Sequence, residues 1–400
     1  MKIRLLSFFT CMIPLVISAK NPQKIVDGNN LFAFKLYNEI NSSNDKNLFY
    51  SPFSISTALA MTYAGARGET ALQMSRTMEF PQGKKFTDDY KNLMDRLIQG
   101  AEGKIKLNIA NGLWAQKDFQ FLDSFISLAR SAYKSELKNV DFTDNIKRET
   151  ARKDINEWVA KKTNDKIKDL LNPGDISESS RLVLVNAVYF YGEWANPFKG
   201  TATFPNNFSL LNDTLVTVPF MNQHGSFNYY EDPKIQAIEI PYKGNKASMV
   251  IFLPSSKNGI TDVEKSFDYK YYLGIIGSFQ TRDVQLSLPK FQTTFRIYLA
   301  NSLSKMGMPL AFSPGGADFS GMTGKRNLFI SSVIHQAFIA VDELGTEAAA
   351  ATATGMAGSA RPSSDMKIFN ADHPFIFLIK DNTTGSILFM GKITNPGIPR

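Results

Sequence analysis

Thiol chemistry is almost absent from this chain. Cys11 is the single cysteine among 400 residues, and it lies in an apolar N-terminal stretch. Beyond it there is no means of building a disulfide, a thiolate zinc site, a redox pair or a cysteine nucleophile. Stability must then come from core size, and 43% hydrophobic residues permit a large core, in one big domain or two ordinary ones. Histidine is nearly as scarce, with His224, His335 and His373 alone. No partner motif accompanies them, so no metal site is expected. His335, inside the apolar run "SSVIHQAFIAV", reads as a hydrogen-bonded core residue rather than a general base. The G-x-S-x-G, H-E-x-x-H and G-x-G-x-x-G signatures are all missing. "GMTGKR" ends like a phosphate loop, but Phe319 stands five residues before Gly324, and Arg326 occupies the place of the magnesium-coordinating Ser or Thr. The chain is therefore read as needing no cofactor and as not an enzyme. Its function is to be sought in a surface or a moving part.

Long runs of one charge are also lacking. The formal net charge is +8, yet basic and acidic residues interleave, as in "NIKRETARKD". No Arg-aromatic pattern argues for nucleic acid. "WVAKKTNDKIKD" is locally basic and reads as a solvated helix face, with a polyanion site as the second reading. A long apolar run occurs once, in "MKIRLLSFFTCMIPLVISAK". Lys2 and Arg4 precede about fourteen apolar residues, and small residues follow at Ser18 and Ala19. This pattern predicts a signal peptide over residues 1–19 and a secreted, extracellular product of residues 20–400. The run falls short of the ~20 residues that span a bilayer, so a membrane anchor is the alternative. Four N-x-Ser/Thr sequons, at Asn41, Asn207, Asn212 and Asn382, suit a secreted glycoprotein; chance is the plainer explanation.

What is present is globular and undivided by repeats or linkers. "SPFSISTALAMTYAGARGETALQMSRTM" opens with Ser51 as a cap and Pro52 at the first helical position. "TARKDINEWVAKKTNDKIKDLL" is amphipathic and predicts a helix running to "NPG". "RLVLVNAVYFYGEW", "IQAIEIPY", "ASMVIFLP", "VQLSLPKF" and "GSILFMGKI" read as strands. Helices first and strands mostly later predict an α+β fold with mixed or antiparallel sheets.

One segment fits neither pattern. "GTEAAAATATGMAGSARPSSD", Gly345 to Asp365, separates two strand-like runs and has little bulk. Structureless loops beyond ~12–15 residues are uncommon in compact domains, and flexible tethers are richer in Gly, Ser, Pro and charge. Read by twos, Thr346, Ala348, Ala350, Thr352, Thr354 and Met356 would line one face of a strand, and Glu347, Ala349, Ala351, Ala353, Gly355 and Ala357 the other. Only Glu347 would resist burial. A segment able to leave water and join a sheet is the sharper reading; a plain tether is the alternative.

"VDELGTEAAAATAT" closely resembles the hinge of serpins, the serine protease inhibitor superfamily. "NLFYSPFSISTALAMTYAGARGET", "INEWVAKKTNDKI", "LVLVNAVYFYGEWANPF", "FNADHPFIFLI" and "GSILFMGKITNP" resemble that family's motifs in order, over roughly residues 25 to 398. The resemblance implies one serpin domain with three β-sheets, eight or nine helices and an exposed reactive-centre loop at about residues 343–366. It implies a metastable monomer that a protease cleaves as a substrate, after which the cut loop inserts into the main sheet and traps the acyl-enzyme. The partner would be an extracellular serine protease. A non-inhibitory serpin (carrier, chaperone or storage protein) is the alternative.

By resemblance the hinge comprises Glu343, Gly345, Thr346, Glu347, Ala348, Ala349, Ala350, Ala351 and Thr352. Leu344 departs from the acidic residue often found there. Glu343 would pair with Lys290. Ser51, Ser54, Asn186 and His335 match the shutter beneath the sheet, and Trp194 the breach where insertion begins. The scissile bond is left in two registers. Counting forward from Gly345 gives Ser359–Ala360; counting back from Phe369 gives Arg361–Pro362. Hinge length favours Ser359, and Met356 is the remaining bulky candidate. The small residues of "MAGSA" suit an elastase-like or subtilisin-like pocket.

Overall fold

The computed structural model describes residues 23–41, 46–83, 85–100, 105–346 and 365–397. The expected signal segment lies outside them. So do residues 347–364, which hold Glu347, Ala348, Ala349, Ala350, Ala351 and Thr352 of the hinge and the scissile-bond candidates Met356, Ser359, Ala360 and Arg361.

Helices dominate the first part: α1 (Gln23–Ile40), α2 (Pro52–Gly65), α3 (Gly68–Thr77), α4 (Phe86–Gly100), α5 (Asp123–Tyr133) and α6 (Asn145–Lys162), with strands β1 (Leu48–Tyr50), β2 (Ile105–Gln116) and β3 (Glu136–Val140) between them. Strands dominate the rest: β4 (Leu182–Glu193), β5 (Thr203–Ser209), β6 (Leu215–Glu231), β7 (Ile235–Pro241), β8 (Ala247–Pro254), β9 (Gln280–Pro289), β10 (Phe291–Tyr298), β11 (Ile330–Val341), β12 (Gly345–Thr346), β13 (Lys367–Asn370), β14 (Phe375–Asp381) and β15 (Ile387–Ile393). The short helices α7 (Ile260–Ser266), α8 (Tyr269–Gly277), α9 (Ala300–Met306) and α10 (Ser320–Thr323) complete ten α-helices among the described residues. That exceeds the eight or nine implied above because single turns such as α10 are included. None of these helices is long and apolar enough to cross a membrane.

The α+β fold is as expected, but its hydrogen-bond ladders form two sheets among the described residues rather than three. A nine-stranded sheet runs β1, β15, β14, β8, β7, β6, β9, β13, with β5 on β6. Two of the three expected sheets merge here through β6. Its first residues pair with β5, its middle with β9 and its last four with β7. A six-stranded sheet runs β10, β11, β12, β4, β2, β3.

α2 lies inside the molecule. The Ser51 hydroxyl accepts from the Ser54 amide at 3.1 Å, and Pro52 takes a first-turn position that needs no N–H. Nearly every α2 residue is buried, as befits a helix apolar on all sides. α6 lies on the opposite face of the six-stranded sheet. Its Ile155 and Val159 pack among Val183, Val185 and Ala187 of β4 and Trp114 of β2. This helix ends at Lys162, well before "NPG". Asn164 and Asp165 take left-handed φ values of 51° and 60°, and the Thr163 hydroxyl accepts from the Ile167 amide at 3.2 Å. Ile167, Leu170 and Leu171 are nonetheless buried, so the apolar spacing reported burial correctly but not helix.

β4 is apolar on both faces, as a covered central strand must be. Leu182, Leu184, Val188 and Phe190 enter the main core, while Val183, Val185, Ala187 and Tyr189 lie under α6. β11 runs parallel to β4 from the Ile330–Leu182 pair to the Phe338–Tyr189 pair. Beyond that the two strands separate, and β12 fills the opening, antiparallel to both.

Candidate functional site

The chain leaves β11 at Val341 and reverses within four residues. The Asp342 carboxylate accepts from the amides of Leu344 at 2.9 Å and Gly345 at 3.2 Å, and the Asp342 amide donates to the Gly345 carbonyl at 2.9 Å. An Asp bonded to the backbone two and three residues on is a built-in turn former. Burial raises the Asp342 pKa, against those two amides and the nearby Lys290 charge. The rest of the turn is held by the segment after β4. Trp194 donates its amide to the Leu344 carbonyl and its indole N–H to the Asp342 carbonyl, both at 2.9 Å, and the Phe198 amide donates to the Glu343 carbonyl at 2.8 Å.

Glu343 and Lys290 meet, Nζ to Oε2, at 2.7 Å, and the Thr203 hydroxyl donates to Oε1 at 2.9 Å. Burial would raise the Glu343 carboxyl; the hydrogen bonds from Lys290, its own backbone and Thr203 outweigh that and hold it below the usual range. The pair sits at the top of β10 and pins the turn from the other side.

From this turn the hinge passes into the sheet. Gly345 lies opposite Glu193, and Thr346 lies between Gly192 and Val341. Gly345 is required by close approach, since a Cβ there would fall 2.1 Å from the Gly192 carbonyl oxygen. Thr346 is fully buried, and its hydroxyl meets the Tyr242 hydroxyl at 2.7 Å. The Tyr242 ring stacks on Trp194 at 4.6 Å.

A second polar cluster lies lower, where β4 and β11 are still joined. Asn186 of β4 and His335 of β11 are cross-strand neighbours. The Ser51 amide donates to His335 Nε2 at 3.1 Å, so the ring proton is on Nδ1, which donates to Asn186 Oδ1. Asn186 Nδ2 donates to Ser54 Oγ at 2.6 Å and also to Asn111 Oδ1 of β2. Ser51 Oγ donates to the Leu388 carbonyl at 2.6 Å. Complete burial pulls the His335 pKa down to about 3, so the ring is neutral. Ser51, Ser54, Asn186 and His335 thus form one network that crosses the β4–β11 seam. A strand added between β4 and β11 has to break the Asn186–His335 bond.

Together these features make a sheet whose two central strands part at the top, hold two hinge residues there and are latched lower down by polar groups. A family model described as "Serpin (serine protease inhibitor)" matches residues 27–396. The chain belongs to the serpin family. A "Leukocyte elastase inhibitor" of Xenopus laevis is 41% identical over 372 residues, 91% of this chain and 97% of that one. The crystal structure of Serpin48 of Tenebrio molitor superposes with a TM-score of 0.84 at 32% identity, covering 94% of this chain and 99% of that one. Human thyroxine-binding globulin complexed with its hormone does so with a TM-score of 0.84 at 30% identity, covering 94% and 99%.

The described serpin residues also include partners that the sequence reading missed. Asn111, Thr203 and Tyr242 belong to the clusters above. Asn111 carried a signal, an asparagine in the middle of the strand-like "LNIANGLW". Tyr242 and Thr203 carried none, because a tyrosine after a strand and a threonine at the start of one are ordinary. Among the sequons, Asn207, Asn212 and Asn382 are exposed and Asn41 is half-buried. The Asn382 side-chain nitrogen donates to Ser248 Oγ at 2.8 Å and to the Asn245 carbonyl at 3.1 Å, so a glycan there would compete with those bonds.

Proposed function

We propose that this serpin is a secreted, single-use inhibitor of serine endopeptidases. The observation that carries the reading is the β4–β11 seam, parted at the top and holding the first hinge pair in strand register. In this reading the protease serine oxygen attacks the carbonyl carbon of Ser359. The bond to the Ala360 nitrogen breaks, that nitrogen leaves with a proton from the protease histidine, and Ser359 stays esterified to the protease. Insertion of the freed strand then carries the protease away and distorts its oxyanion hole before water can cleave the ester. The small side chains of Ala348 to Ala351 favour inhibition over the carrier reading, which the thyroxine-bound relative keeps as the alternative. An elastase-like or subtilisin-like target fits the small residues around Ser359, and similarity to the leukocyte elastase inhibitor of Xenopus laevis supports the first of these. Secretion rests on the N-terminal pattern.

The test is incubation with a panel of serine proteases, followed by denaturing electrophoresis and sequencing of the released C-terminal peptide. A stable complex with a peptide starting at Ala360 is expected. A peptide starting at Pro362 would move the bond to Arg361, and cleavage without any complex across the panel would favour the non-inhibitory alternative. N-terminal sequencing of protein recovered from the medium tests processing near Ala19.

A further inference from the structure

Tyr242 directly follows β7 of the nine-stranded sheet and forms an isolated antiparallel bridge with Trp194, whereas Thr346 lies in β12 of the six-stranded sheet. Their 2.7 Å bond ties the end of β7 to the six-stranded sheet at the point where the hinge first enters. The tyrosine is a fixed post. Its ring is fully buried, stacked on Trp194 and edge-on to Phe190 at 5.1 Å. Its backbone is held as well, by the Ala247 carbonyl at 3.0 Å and by the Asn245 amide at 2.9 Å. A neutral phenol buried to this extent needs a hydrogen-bond partner, and the hinge threonine is the one the structure gives it. The strand leaves room for the ring, since a Cβ on Gly192 would fall 2.9 Å from it.

We propose that Tyr242 is a positioning residue for loop insertion, which docks Thr346 and thereby sets the register of the entering strand. The inference rests on the inhibitory reading for its consequence, but its geometric core does not depend on it. Side chains alternate along a strand, so a slip of one residue would exchange the two faces. With Thr346 fixed inward beside Tyr242, a strand continued from it in the same register would direct even-numbered residues to the core and Glu347 to the opposite face. A slip by one would turn the Glu347 carboxylate into the core. The first pair thus decides whether the bland face of the hinge is the one buried.

Three single variants and one double variant, Tyr242→Phe with Thr346→Val, test this. Tyr242→Phe and Thr346→Val each remove one hydroxyl with little change of shape, and Thr346→Ser keeps it. Hydrogen–deuterium exchange of a peptide spanning Gly345–Thr346 reads docking without any protease. Loss of one net hydrogen bond should speed that exchange about tenfold in Tyr242→Phe and in Thr346→Val. The double variant should be no faster than either single one, Thr346→Ser should match the wild type, and exchange in the β14–β15 core should be unchanged. Inhibitor consumed per protease trapped should rise at least ~3-fold in the first two variants, with the rate of loop cleavage unaltered. Wild-type exchange in Thr346→Val, additive effects in the double variant, or a Thr346→Ser that behaves like Thr346→Val would overturn the proposal. If Tyr242→Phe does not fold, the Val and Ser variants decide. A wild-type protein that traps no protease would remove the inhibitory reading and the consequence for trapping, while the exchange comparison would still decide the docking role.

Discussion

His335 has lost contact with water, and the cost falls on its charged form. Its native pKa lies near 3, against an ordinary value of 6.5. Below pH 6.5 the unfolded chain takes up a proton that the native ring refuses, so stability falls with decreasing pH. The slope approaches about 1.4 kcal/mol per pH unit. Above that range the residue adds no pH dependence. Urea unfolding between pH 6.5 and 5, a window above most carboxylate titration, should show this slope in the wild type and a flatter profile in His335→Gln. Equal slopes would mean that the ring is hydrated or charged in the native state. The sequence indicated a core histidine from its apolar neighbours. It could not indicate that the ring nitrogens bridge α2 and β4, because Ser51 and Asn186 lie 284 and 149 residues away.

At the scale of elements, the seam is defined by two strands that run parallel for eight paired positions and then diverge. Their separation is what lets Gly345 and Thr346 pair as part of the sheet. Thr346 already occupies a fully buried position, with its hydroxyl bonded to that of Tyr242. Thr346→Arg should therefore be cleaved by a target protease at a normal rate without forming a complex that survives denaturing electrophoresis. The burial cost of an unpaired guanidinium is several kcal/mol, enough to stop insertion at its first step. A stable complex with this variant would mean that the strand enters by another route. The hinge composition showed that this segment could become a strand. The point at which it joins the sheet was not readable, because that depends on where β4 and β11 part. That divergence involves Trp194, Phe198 and the Asp342 turn, which no local pattern connects. The early end of α6 has the same origin. Burial of Ile167 and Leu171 follows the apolar spacing, but Asn164 and Asp165 take left-handed φ values and the Thr163 hydroxyl binds the Ile167 amide in place of a further helical turn.

For the whole molecule, the inhibitory proposal predicts a native state short of its best pairing. β11 pairs with eight positions of β4, and β12 pairs with two more above them. Cleavage within residues 347–364 would free the hinge to part that pairing and form a full strand between β4 and β11. The gain in backbone hydrogen bonds and buried apolar area should raise the thermal midpoint on the order of 10 °C or more. Calorimetry before and after limited proteolysis of the loop reads this directly, and an unchanged or lower midpoint would argue against a metastable native state.

The sequence by itself determined the α+β class, the strands β4, β7, β8, β9, β11, β14 and β15, the family and the bland composition of the hinge. These follow from local spacing and from residues contiguous in the chain. Only the tertiary structure decided that two expected sheets run together through β6, that Asn186 and His335 latch the seam with Asn111 beside them, and that Thr346 is docked against Tyr242. Each of those joins residues 75 or more positions apart, or depends on how far one long strand twists between partners. Local propensity carries no record of such distances. They are set when the two sheets pack and buried polar groups must find whichever partners the packing brings within reach.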